Sequence, residues 1–177
     1  MKGIALLVTV SLALLASCTL VSSEDDGFAE GALLQTDVTE IKATVVKDFR
    51  EKVVFDVPLT ITNVTNERIA LTRCKRPSAP VLQKLVDERW ETAFAPIEQL
   101  CLSPPWFIEP GDTFVDTLRV RGFLPDQSAA PTFDTDLEGT YRLVHRLYRR
   151  PVGDQEQPSD LLPEPLRTSN TFTVIEQ

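Results

Sequence analysis

The 177-residue sequence holds a single histidine, His145, so proton transfer near neutral pH would have to run through that side chain. A serine or cysteine nucleophile would need the same base, and no Gly-x-Ser-x-Gly segment occurs. His145 sits in the window Tyr141 to Tyr148, where Tyr141, Leu143 and Leu147 share its side of an alternating pattern. That spacing predicts a half-buried sheet residue instead of a catalytic base. Asp134, Asp136 and Glu138, followed by Gly139, place oxygen ligands as a calcium loop does, but the position that should carry the closing Glu is His145 and the flanks read as strands. The expectation is an acidic turn. Two cysteines beyond residue 18 and one histidine also fall short of the four ligands of a zinc site. No catalytic residue, metal or cofactor is expected.

Composition narrows the classes further. The length suits one ordinary domain, and 42% hydrophobic residues separate the chain from a disordered one. Thirteen prolines and nine phenylalanines against one methionine suggest many short segments, which excludes a coiled coil. With 26 acidic and 18 basic side chains the formal charge is -8, which disfavours attraction to nucleic-acid phosphates.

The elements that would position any site read as strands. Ile41, Ala43 and Val45 line one face of the first. Phe55, Val57, Leu59 and Ile61 alternate with polar residues and Pro58, which has no N–H and predicts an edge or bulge there. Asn63 to Asn66 predicts a turn, with Ile69 to Cys74 as the returning strand. Val81 to Val86 and Arg89 to Ala93 form a predicted hairpin about Asp87 and Glu88, with Trp90 as the large core residue. Leu100 to Phe107 is apolar but proline-broken, a pinned crossover. Thr113 to Val120, Tyr141 to Tyr148 and Thr171 to Ile175 complete the set. No window of a dozen residues keeps a 3.6 period. Seven or eight strands separated by turns predict an all-β antiparallel sandwich.

Two surface features invite a partner. Arg142, Arg146, Tyr148 and Arg149 form a basic and aromatic stripe able to grip a carboxylate-bearing or sugar partner, or merely to neutralise acidic neighbours across strands. The proline-rich segment from Pro151 to Leu166 is long for a hairpin loop, and such loops are either functional or disordered.

The first 18 residues add an address. Lys2 and the apolar run Ile4 to Ala16 have the layout of a cleaved signal, too short for the about 20 residues that span a bilayer. Leu15-Ala16-Ser17-Cys18 resembles the lipobox of bacterial lipoproteins. The resemblance implies removal of residues 1–17 and acylation of Cys18 (palmitate among its chains), hence a membrane anchor in the bacterial cell envelope. Thr19 in place of Asp points to the outer membrane under the family's sorting rule. Residues 18–36 then read as the lipidated cysteine and a polar tether, and 37–177 as the domain. With Cys18 acylated, Cys74 and Cys101 remain as a candidate disulfide in an exported protein, the alternatives being two buried thiols or a redox site that no CxxC supports.

Leu137-Glu138-Gly139-Thr140-Tyr141 resembles the tyrosine corner of immunoglobulin-like domains, with Leu143 where antibody domains carry a core cysteine. With the run Phe55 to Thr62, Trp90 and the turn Ile108 to Asp112, the chain is similar to the immunoglobulin-like domains of bacterial envelope lipoproteins. It is loosely similar to the bacterial intracellular proteinase inhibitor family. The resemblance implies an immunoglobulin-like sandwich acting as a non-catalytic binding or structural module toward an unknown protein or envelope ligand. The alternative is an inhibitor of an exported protease.

Overall fold

The computed structural model describes residues 32–98, 103–149 and 160–177. Among these residues the chain is all-β, an immunoglobulin-like sandwich of mostly antiparallel strands. Ten strands are present: β1 (Leu34–Gln35), β2 (Glu40–Lys47), β3 (Glu51–Thr62), β4 (Ile69–Leu71), β5 (Val81–Val86), β6 (Arg89–Phe94), β7 (Trp106–Ile108), β8 (Thr113–Phe123), β9 (Gly139–Val144) and β10 (Phe172–Glu176).

One layer is organised around β3, which pairs with β8 from Lys52↔Phe123 to Thr62↔Thr113. The opposite edge of β3 is shared by β1 at Ile61 and Thr60 and by β2 at Val54 to Glu51. Pro58 falls between those two pairings, where no N–H is called for, and its carbonyl accepts a bond from Thr36 Oγ1. The other layer runs β10, β9, β5, β6. β2 belongs to both layers, because its first half pairs in parallel with β10 from Glu40↔Thr173 to Ala43↔Glu176 before its second half crosses to β3. This parallel pair is the one departure from antiparallel order among the named strands.

Alternation explains most of the core. Val53, Phe55, Val57, Leu59 and Ile61 of β3 are buried, while Asp56 and Pro58 face water. They meet Leu82, Tyr141, Leu143, Phe172 and Val174 of the facing layer. A file of rings crosses the interior, with Phe55 to Phe133, Phe133 to Tyr141 and Tyr141 to Phe172 at 6.2, 6.4 and 6.2 Å between centroids.

Several expectations need correction. Trp90 is not the large core residue: it lies on the outer face opposite Leu85, half-buried under the Arg142 guanidinium at 4.4 Å. The inward place on that hairpin is taken by Lys84. The segment from Ile69 does not return along β3. It forms the three-residue β4, which pairs with β7 in a small separate sheet, so part of the expected crossover is a strand. Leu33 and Leu34, within the segment read as tether, are buried in the core.

Candidate binding cleft

Strand directions decide which loops meet. β9 ends at Val144, and antiparallel β5 begins beside it at Val81. β6 ends at Phe94 on the same side. The segments before β5, after β6 and after β9 therefore converge at one end of the sandwich. There they line a cleft of about 570 Å³, within the size range of small-molecule sites. The first segment is fixed as a tight loop, with Ser78 N–H donating to Thr72 O at 2.8 Å, Thr72 Oγ1 donating to Ser78 Oγ at 3.0 Å and Cys74 N–H donating to Arg76 O at 3.1 Å. Tyr148 is locked beneath it by paired backbone bonds with Ala70.

Among the described residues four cations line the cleft, Arg73, Lys75, Arg76 and Arg146, against one carboxylate, Glu98. Arg146 and Glu98 pair at 3.1 Å in a half-exposed bridge. The Arg73 guanidinium stands 5.7 Å from the Trp106 ring, and its Nε is buried without a hydrogen-bond acceptor among the described residues. Pro77, Ala79, Pro96 and Ile97 supply apolar wall, with Ile97 66% exposed.

The expected stripe is only partly gathered here. Arg146 and Tyr148 reach the cleft, whereas Arg142 is occupied elsewhere, donating to Gln83 Oε1 and Glu164 Oε1 at 2.9 Å each. Arg149 bonds through its backbone N–H to Asp160 O and is absent from the lining. Tyr148 cannot serve as an exposed grip, because the alternation breaks at Leu147 and both side chains are buried. β9 stops at Val144, short of the predicted Tyr148. Sequence reasoning missed Arg73, Lys75 and Arg76, although Arg73-Cys74-Lys75-Arg76-Pro77 is a visible basic run. Cys74 lies in the cleft wall and is not a free thiol. Cys18, Cys101 and most of the proline-rich loop, residues 150–159, lie outside the described residues.

His145 lies behind the cleft, 1% exposed, with Nδ1 3.3 Å from Arg146 O. Burial pushes its pKa down to about 4, so the ring is neutral at ordinary pH. The acidic turn before β9 is tied internally. Tyr141 donates its phenol to Leu137 O at 2.6 Å and to Asp136 O at 3.1 Å, and burial raises its pKa to about 12. The buried Lys84 ammonium reaches Asp136 Oδ1 at 2.6 Å and Asp136 O at 2.9 Å, holding that carboxyl below its usual range. Gly139, at φ +147°, leaves room for the lysine stem, since a Cβ there would stand 2.7 Å from Lys84 Cε.

Among the described residues no group of three His, Cys, Asp or Glu is placed to hold a metal ion, and no helix is long and apolar enough to cross a membrane. A scan against family models finds no match, and a search of curated proteins finds no relative.

Proposed function

We propose that the chain is a lipid-anchored protein of the bacterial envelope, held through Cys18 at the outer membrane, whose sandwich is a non-catalytic binding module. The cleft carries this reading. It combines concave shape, apolar wall and an excess of cations on a protein whose overall charge is -8, a combination that concentrates field lines on an approaching partner. Burial of the only histidine supports a role without proton-transfer chemistry. The lipobox-like Leu15-Ala16-Ser17-Cys18 supports the anchor, and a Cys74 to Cys101 disulfide suits an exported chain.

A photo-crosslinking residue placed at Ile97, with Val115 on β8 as the control, tests the reading in cells. Both are more than half exposed, so neither replacement disturbs the core. A reproducible adduct from Ile97 and none from Val115 is expected. Equal labelling at both, or none at either, would replace the binding module with a structural one. Cys18→Ser is expected to release the protein from membranes, and its continued sedimentation with them would remove the anchor.

A further inference from the structure

We propose that the cleft binds a small organic anion, a carboxylate, sulfonate or phosphate carried on an apolar body. This rests on the reading of the cleft end as the binding surface and gives that surface its chemistry.

The charge balance is the first ground. Among the described residues four cationic side chains share the cleft with one carboxylate, Glu98, which pairs with Arg146. Lys75 and Arg76 extend into solvent at the mouth. The Arg73 side chain is the second ground, because its guanidinium, 5.7 Å from the Trp106 ring, belongs to a residue of the cleft wall. The remaining wall is apolar, through Pro77, Ala79, Pro96 and Ile97. An inorganic anion would leave that wall wet, while an uncharged apolar molecule would leave the guanidinium groups unused. An amphiphilic anion satisfies both halves.

The probe is 1-anilinonaphthalene-8-sulfonate, compared with N-phenyl-1-naphthylamine, which has the same aromatic body without the sulfonate. Fluorescence titration of the intact protein is expected to give one saturable site for the sulfonate and at least about tenfold weaker binding of the neutral analogue. Arg76→Gln combined with Arg146→Gln is expected to weaken the sulfonate by about tenfold or more. Arg119→Gln, on the exposed face of β8, should leave it unchanged. Glu98→Gln frees Arg146 from its bridge and should tighten binding. Thermal melting of each variant separates loss of the site from loss of the fold.

Equal affinity for the two probes, undiminished affinity in a folded double variant, equal loss in Arg119→Gln, or no sulfonate binding at all would each overturn the anion site. Any of these alongside a specific Ile97 crosslink would leave the binding module standing with a different ligand chemistry. Failure of the crosslink with success of the titration would fault the partner reading alone.

Discussion

Acidification should destabilise this sandwich through one identifiable side chain. His145 is 1% exposed, and burial sets its folded pKa near 4 against an ordinary 6.5. Between those values the unfolded chain binds a proton that the folded chain refuses. Stability is therefore complete above the unfolded value, falls as pH drops through 6.5, and stops falling from this cause near pH 4. At about 1.4 kcal/mol per pH unit, the separation corresponds to a loss of about 3 kcal/mol, a substantial share of the roughly 5–15 kcal/mol typical of a domain. Urea unfolding between about pH 7 and pH 4, on the wild type and on His145→Gln, measures it. The carboxylates titrate in both proteins, so the histidine appears in the difference of the two profiles. The wild type should lose about 3 kcal/mol more than the variant over that range. Parallel profiles, or a folded-state imidazole resonance titrating at an ordinary value, would refute the buried neutral ring.

Two further outcomes follow from the turn before β9. Tyr141→Phe removes the donor to Leu137 O and Asp136 O while keeping the ring file intact, and should cost about 1 kcal/mol in urea unfolding with an unchanged slope. Asp136→Ala and Lys84→Met should differ, although they break the same pair. The first leaves a buried ammonium with a carbonyl alone and should cost roughly 1–3 kcal/mol, whereas the second leaves a carboxylate already 83% exposed and should cost less. The reverse order in a melting series would contradict the placement of Lys84.

Elements with one face to water were legible in sequence. β3 and β10 alternate cleanly, and Asp87 and Glu88 both take positive φ, 45° and 64°, as a two-residue hairpin turn demands. β1 was hidden because two residues inside a polar stretch carry no period, although Leu33 and Leu34 are fully in the core. β4 is buried at all three positions, so its pattern gave no face and no partner. Trp90 misled because a large apolar side chain was assumed to point inward. The bulge between Leu82 and Gln83 and the Asp136 partner of Lys84 reverse the faces of that hairpin. The cleft was illegible for a different reason. Its basic residues come from loops whose spacing has no period, and their meeting depends on where β5, β6 and β9 begin and end.

The crossing of β2 between layers bears on how the domain would carry a mechanical load. Glu40 starts β2 beside Thr173, and Glu176 ends β10 beside Ala43, so the two strands leave the ladder in opposite directions. Tension applied from the N-terminal side against the C-terminal side runs along the strands and loads all four paired positions together, where an antiparallel hairpin pulled at its open end would unzip one bond at a time. Under such end-to-end tension the domain would therefore meet force with a shear clamp, and its lifetime under load would be set by the rate at which that clamp ruptures.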